Sequence, residues 1–196
     1  MDQRYYAAKK RTIQSAYNKQ LLDHGLFDYG VCNPAGPEGI TFCIDPFLDR
    51  ADVQIVCETD PLLRAKLIKA LGFSSYQDNN VRVAGRQHCD IFIAAAEVAN
   101  LKAVANKTVF IDYDMEQTIR KLWKEREKQI AKVFESSALK LAIRLTTSLR
   151  IDKTVCLSYY DKLLKLATET GWYIEEQYAE SYNDNAPMFT AQIIFS

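Results

Sequence analysis

The stretch from Val53 to Gly72, VQIVCETDPLLRAKLIKALG, joins a short apolar strand to a well-marked helix. The segment from Val53 to Cys57 is rich in β-branched residues, which favour strands. Asp60 can accept hydrogen bonds from the first free amides of a helix, and Pro61 suits the first helical position. Gly72 readily adopts the left-handed conformation that ends a helix. A strand followed directly by a helix is the unit of sheets with helical crossovers, so this stretch predicts an α/β fold.

Strands and helices alternate on both sides of this unit. Short apolar runs bounded by turn residues predict strands, and apolar side chains at every third or fourth position predict helices. The predicted strands are 29–32, 40–44, 53–57, 81–83, 90–93, 107–112 and 154–157. The predicted helices are 2–22, 60–71, 94–106 and 158–170. This order predicts one compact domain over 1–196, of the α/β or α+β class, with a mixed sheet of about five to seven strands flanked by helices.

A long amphipathic helix is predicted from Met115 to about Leu149. Its apolar stripe begins at Ile119 and continues through Leu141 and Leu145, at the spacing of one helix face. The start of this helix also indicates a domain boundary near residue 114. The alternative to a single domain is therefore an α/β part, 1–114, followed by a part made of the helix and the C-terminal strands, 115–196.

The composition predicts a soluble, globular protein in a reducing compartment. Hydrophobic residues make up 48% and charged residues 26% of the 196 residues, close to the globular average. The apolar runs, such as 91–96, are far shorter than a membrane-spanning helix, and residues 1–20 contain no apolar core of a secretory signal. Five cysteines without a CxxC pair are typical of reduced thiols, which indicates the cytoplasm.

Charge is separated along the chain, although the 25 basic and 25 acidic residues cancel. Residues 1–20 carry five basic and one acidic side chain, residues 115–150 carry nine and four, and residues 172–196 carry none and four. The last segment predicts a C-terminal antiparallel hairpin, and it contains tyrosine and tryptophan, which are enriched at protein interfaces. We therefore expect a non-catalytic assembly protein without a cofactor, which is oligomeric and contacts partners through this hairpin and the basic long helix. The predicted partner-binding residues are Trp172, Tyr173, Tyr178 and Tyr182.

The basic long helix also supports an alternative hypothesis, nucleic-acid binding. Clustered lysines raise affinity for phosphates because their binding releases counterions. The mixed signs of residues 124–128 are equally typical of a solvated helix face. The candidate nucleic-acid contacts are Lys121, Lys124, Lys128 and Lys132.

Asp112 and Asp114, at the end of the apolar stretch 108–111, support another alternative, a metal-dependent enzyme. Alternate side chains of an extended strand point the same way, and carboxylates are the ligands that Mg²⁺ prefers. Together with Asp45 and Asp60 they predict an acidic cleft that binds Mg²⁺ for phosphoryl transfer or phosphodiester hydrolysis. The same acids suit helix caps, and the sequence leaves both alternatives open.

Neither of the glycine-rich phosphate loops occurs in the sequence. The patterns GxGxxG and GxxxxGK[ST] are absent, and roles in turns or helix ends explain Gly36, Gly39, Gly72 and Gly85. We therefore expect no nucleotide bound through a standard phosphate loop.

Overall fold

One sheet of eight strands runs through the part of the chain that the computed structural model describes. The described residues are 8–26, 28–32, 45–47, 52–57, 60–71, 80–86, 89–94, 106–149, 153–183 and 187–196. The strands are β1 (Tyr29–Cys32), β2 (Val53–Cys57), β3 (Asn80–Arg86), β4 (Cys89–Ala94), β5 (Thr108–Thr118), β6 (Lys140–Ser148), β7 (Ile174–Asn183) and β8 (Pro187–Phe195). The described helices are α1 (Ala8–Asp23), α2 (Pro61–Ala70), α3 (Ile119–Phe134) and α4 (Lys153–Glu169), with a short 3₁₀ turn at Asp45–Phe47. None of these helices is long and apolar enough to cross a membrane.

The strands follow the order β3-β4-β2-β1-β5-β6-β8-β7 across the sheet. β1 is parallel to its neighbours β2 and β5. β4 is in turn parallel to β2, and β6 is parallel to β5. β3 is antiparallel to β4, and β8 is antiparallel to both β6 and β7. The predicted mixed α/β sheet and C-terminal hairpin are confirmed, and the sheet has eight strands where about five to seven are predicted.

Both faces of the sheet carry apolar cores, and helices pack on each. Side chains alternate along β5, so Val109 and Ile111 contact the core beneath α3 and α4, whereas Phe110 contacts the core that includes residues of α1 and α2. We call these the back face and the front face. Burial on both faces explains the nearly continuous apolar sequences of the central strands. Each fully buried large apolar side chain stabilises the fold by about 1.5–3 kcal/mol.

The amphipathic helix predicted from Met115 is present with different bounds. α3 begins at Ile119 and ends at Phe134. The residues before it belong to β5, whose last residue, Thr118, pairs with Ser148 of β6. The hydrogen bonds of the sheet therefore override the helical pattern at the start of this segment.

The second half of the predicted helix is wrong, because residues 140–148 form β6 in the interior of the sheet. Leu141 and Leu145 are four residues apart, and this spacing suits one face of a helix and one face of a strand equally. Leu141, Ile143 and Leu145 all lie in the back core, which shows a period of two. The strand predicted at 154–157 is also wrong, since these residues lie within α4.

Most of the other predicted elements correspond to observed ones. The strands predicted at 29–32, 53–57, 81–83, 90–93 and 107–112 coincide with β1 to β5. The helices predicted at 2–22, 60–71 and 158–170 correspond to α1, α2 and α4. The strand predicted at 40–44 and most of the helix predicted at 94–106 lie outside the described residues.

The back core allows a direct test of how α4 packs. Leu163 is fully buried, whereas Leu157 on the same helix is 41% exposed. We expect Leu163→Ala to lower the free energy of unfolding by about 2–5 kcal/mol, because it removes buried methyl groups and leaves a cavity. Leu157→Ala is the matched control and should change it by less than about 0.5 kcal/mol. Urea unfolding followed by circular dichroism measures both, and equal losses would contradict this packing.

Candidate functional site

The edge at which the parallel strands end forms the candidate site. The strand order turns around at β1, because β2 lies on one side of it and β5 on the other. In open α/β sheets, ligands bind in the crevice beyond the carboxyl ends of the strands at such a point. Cys32 ends β1 and Cys57 ends β2, and both side chains are buried. The candidate site therefore lies beyond these two cysteines.

Asp60 follows β2 and caps α2. Its Oδ1 accepts hydrogen bonds from the backbone amides of Leu62 at 2.8 Å and of Leu63 at 3.2 Å. These two amides belong to the first turn of the helix, where no carbonyl of the helix can reach them. The helix-cap alternative is confirmed for Asp60.

Asp112 forms a buried ion pair on the front face. Its Oδ2 lies 3.2 Å from Nη1 of Arg144, and both side chains are fully buried. The helix-cap alternative is wrong for Asp112, because β5 continues beyond it to Thr118. The guanidinium compensates the charge that the carboxylate carries into the interior.

Arg144 lies at the centre of a buried polar cluster that the sequence analysis missed. Its Nη2 donates to Oδ1 of Asn18 at 2.6 Å and to Oε1 of Gln192 at 3.0 Å, and its Nε donates to the same Oε1 at 3.2 Å. Nε2 of Gln192 donates in turn to the backbone carbonyl of Tyr17 at 3.0 Å. We call Asn18, Asp112, Arg144 and Gln192 the Arg144 cluster.

The three strand residues of the Arg144 cluster lie in one row across the sheet. Backbone pairing places Asp112 beside Cys32, the last residue of β1. It also places Arg144 between Asp112 and Gln192. The row therefore begins at the candidate site and ends beneath α1. A signal for it exists in the sequence, because arginine interrupts the apolar run LAIRL at residues 141–145, and charged residues in such runs are buried only when paired.

The four aromatic residues predicted to bind a partner lie in different environments. Trp172 packs against the back core, and its Nε1 donates to a backbone carbonyl of α3 at 2.7 Å. Tyr182 is buried in a cluster with residues of α1, and Tyr178 packs on Tyr17 with ring centroids 6.0 Å apart. Tyr173 is 71% exposed. Partner binding by these residues stays a prediction, although three of the four already make these contacts within the chain.

Part of the acidic charge of the hairpin is compensated inside the chain. Glu175 lies 2.7 Å from Nζ of Lys140, and Glu176 lies 3.2 Å from Nε2 of His24. The hydrogen bond from Lys140 lowers the pKa of Glu175, and the hydrogen bond from the Tyr178 hydroxyl lowers the pKa of Glu176. The charge separation along the sequence is therefore in part a pairing within one molecule.

The structure places the remaining predicted site residues as follows. Lys128 and Lys132 are exposed on α3. Asp45 begins the 3₁₀ turn, and Asp114 belongs to β5. Side chains outside the described part of the structure are those of Asp45, Asp114, Lys121 and Lys124. Among the side chains that are described, no group of three or more His, Cys, Asp and Glu is arranged to hold a metal ion.

The sequence matches no protein-family model and no curated protein, but solved structures resemble the chain in fold. TYW2 from M. jannaschii in complex with AdoMet (S-adenosylmethionine) has a TM-score of 0.56 at 11% identity, covering 93% of this chain and 75% of that one. The N-methyltransferase NodS from Bradyrhizobium japonicum has a TM-score of 0.55 at 12% identity, covering 95% and 96%. The magnesium protoporphyrin IX methyltransferase ChlM from Synechocystis, with bound SAM (the same compound), has a TM-score of 0.56 at 12% identity, covering 94% and 79%.

The chain therefore has a fold found in methyltransferases. This finding corrects the expectation of a non-catalytic assembly protein and its Mg²⁺-hydrolase alternative, because the similar structures are those of enzymes of another class. It also corrects the expectation of no cofactor or of Mg²⁺, because two of the similar structures, those of TYW2 and ChlM, hold AdoMet. Nucleic-acid binding stays a prediction.

The ion pair between Asp112 and Arg144 gives a testable prediction for stability. Asp112→Leu or Arg144→Met leaves the other charge buried without its partner, and we expect each to lower the free energy of unfolding by about 3–5 kcal/mol. The double variant removes both charges, so its loss should be smaller than the sum of the two by at least about 1 kcal/mol. Guanidinium unfolding of the four proteins measures this difference. Strictly additive losses would show that the two side chains do not stabilise each other.

Glu175 gives a prediction for the pH dependence of stability. Its pKa lies below the ordinary 4.5, chiefly because of the hydrogen bond from Lys140. A carboxyl whose folded pKa is lowered stabilises the fold above its unfolded pKa and loses that effect as the pH falls through the folded value. The difference in unfolding free energy between wild type and Glu175→Gln should therefore be full at about pH 7 and shrink below about pH 4.5.

Urea unfolding at several pH values measures this difference. The matched control is Glu127→Gln, at an exposed position on α3. A difference for Glu175→Gln that grows toward low pH would contradict the predicted sign.

Proposed function

We propose that this chain is an AdoMet-dependent methyltransferase. The observation that carries the proposal is the likeness in fold to two methyltransferases and to an AdoMet complex, which extends over 93–95% of this chain. The turning point of the strand order at β1 supplies the crevice in which folds of this kind bind a ligand. Because a shared fold alone does not fix a function, the residues at the candidate site are the second line of support.

The residues at the candidate site suit AdoMet chemically. This cofactor carries an adenine ring, ribose hydroxyls, a sulfonium cation and the charged groups of an amino acid, but no phosphate. Cys32 and Cys57 end β1 and β2 with small apolar side chains, and two acids, Glu58 and Asp60, follow β2 in the sequence. A carboxylate after the second strand can accept hydrogen bonds from ribose hydroxyls, as in dinucleotide sites. The missing phosphate loop is compatible with a cofactor that has no phosphate.

AdoMet supplies an activated methyl group, which a nucleophile of the acceptor takes when S-adenosylhomocysteine leaves. We assign the ribose hydroxyls to Glu58, because two amide hydrogen bonds to Oδ1 hold the side chain of Asp60 at the start of α2. The chain's own contribution is to bind and orient the two reactants, and holding them in the right geometry accounts for a large share of such a rate enhancement.

Calorimetric titration with AdoMet tests the proposal. We expect the wild-type chain to bind AdoMet and S-adenosylhomocysteine, and to bind ATP much more weakly because no phosphate loop is present. Glu58→Ala should weaken AdoMet binding by about tenfold or more, since a hydrogen bond to a charged group is lost. Glu127→Ala, at an exposed position on α3, should leave the affinity unchanged. Absence of binding at millimolar AdoMet, or stronger binding of ATP, would refute the proposal.

The proposal also includes a single domain, a cytoplasmic location and a methyl acceptor as the partner. One sheet includes strands from both sides of residue 114, which supports a single domain over 1–196. Cys32 is a free thiol, which supports a reducing, cytoplasmic location. The partner that the proposal requires is a methyl acceptor. Binding of a protein partner or of a nucleic acid stays a prediction.

A further inference from the structure

The Arg144 cluster is more polar than packing of the front face requires. Charged side chains are almost never fully buried unless paired, and apolar replacements of a buried ion pair often leave stability unchanged or raise it. The neighbouring row on the same face consists of Phe110 of β5, Ala142 of β6 and Ile194 of β8, which are paired across the three strands. Apolar residues therefore fill this face in the neighbouring row. A cation in the next row indicates a role beyond packing.

Within the Arg144 cluster, one guanidinium joins β5, β8 and α1, because its donors reach a residue of each. Gln192 adds two hydrogen bonds to α1, one to the backbone carbonyl of Tyr17 at 3.0 Å and one to Oε1 of Gln20 at 3.1 Å. Nearer its end, α1 is instead held by Leu21, which packs in the apolar front core. Next to the cluster, directional hydrogen bonds therefore add to the aromatic packing of Tyr17 in holding α1.

Aromatic rings hold the guanidinium of Arg144 in place. Its Cζ lies 4.8 Å from the ring centroid of Phe110 and 5.9 Å from that of Tyr17. A planar cation that contacts rings from β5 and α1 and donates four hydrogen bonds cannot turn without breaking several contacts at once. A shift of β5 is therefore transmitted to α1.

We propose that Arg144 is a positioning residue that couples the placement of α1 to AdoMet binding, an inference that rests on the proposed function. Asp112 lies beside Cys32, the residue beyond which the candidate site begins. A ligand that fixes the ends of β1 and β5 thereby fixes Asp112, then Arg144, and through Asn18 the helix α1. By thermodynamic linkage, the attachment of α1 strengthens AdoMet binding by the same factor by which AdoMet strengthens that attachment.

The variant Asn18→Leu tests this coupling. It removes the acceptor that α1 offers to Arg144 and leaves the bonds from Arg144 to Asp112 and Gln192, and those from Gln192 to α1, in place. We expect the Kd for AdoMet, measured by calorimetry, to rise about 5- to 20-fold. In the wild type, AdoMet should slow hydrogen exchange of the α1 amides, and this slowing should be lost in Asn18→Leu. Asn18→Asp keeps an acceptor and should restore both properties, whereas Lys19→Leu, at the exposed neighbouring position, should behave as wild type.

The outcomes separate this inference from the proposed function. An unchanged Kd in Asn18→Leu, or wild-type α1 exchange that AdoMet does not alter, overturns the coupling while AdoMet binding stands. A wild-type chain that does not bind AdoMet overturns the proposed function and the coupling with it. Should Asn18→Leu fail to fold, Gln20→Leu removes only one bond from Gln192, and the coupling predicts a rise in Kd of about 2- to 5-fold. An unchanged Kd in that variant also overturns the coupling.

Discussion

The architecture depends on β1, a strand of four residues that pairs in parallel with β2 and with β5. Parallel neighbours cannot be joined by a tight turn, so the chain must leave the sheet after each strand and return across one of its faces. The helices that follow strands on the two sides of β1 lie on opposite faces: α2, which follows β2, contributes to the front core, and α3 and α4, which follow β5 and β6, contribute to the back core. Connections that diverge in this way leave a crevice at the carboxyl end of β1.

On the front face, one row of residues across the sheet is apolar and the next row, which contains Arg144, is polar. This difference determines how α1 is held. Apolar contacts such as those of Leu21 are not directional, so they tolerate small shifts of a helix along a sheet. The hydrogen bonds of Arg144 reach α1, β5 and β8 with defined geometry, so they select one position of the helix. A buried ion pair contributes little net stability, and its better-attested use is to specify one arrangement among several. The polar row therefore suits a helix whose position matters for the adjoining site.

Local signals were sufficient for much of the fold, whereas long-range contacts were not accessible from the sequence. Asp60 and Pro61 identified the start of α2 because a cap and a first-position proline act within one helical turn. The spacing of Leu141 and Leu145 could not distinguish a helix from a strand, and only pairing with β5 and β8 determines β6. The hydrogen bonds of Arg144 span 32, 48 and 126 residues of the chain, so no local pattern contains them. Only the interrupted apolar run around Arg144 indicated that a partner was needed.

The standard glycine-rich loops, which this sequence lacks, recognise phosphate. The backbone amides of these loops and the adjoining helix start attract an anion. The absence of such loops therefore argues only against ligands that carry phosphate. AdoMet instead offers hydroxyl donors and a sulfonium cation, which carboxylates and carbonyls bind. Of the two acids after β2, only Asp60 belongs to the predicted Mg²⁺ site, and oxygen donors that suit a hard cation also accept hydrogen bonds from ribose. The sequence thus indicates acids at the edge where the parallel strands end. Whether such acids bind a metal ion or hydroxyl donors depends on the chemistry of the ligand, which the residue types alone do not specify.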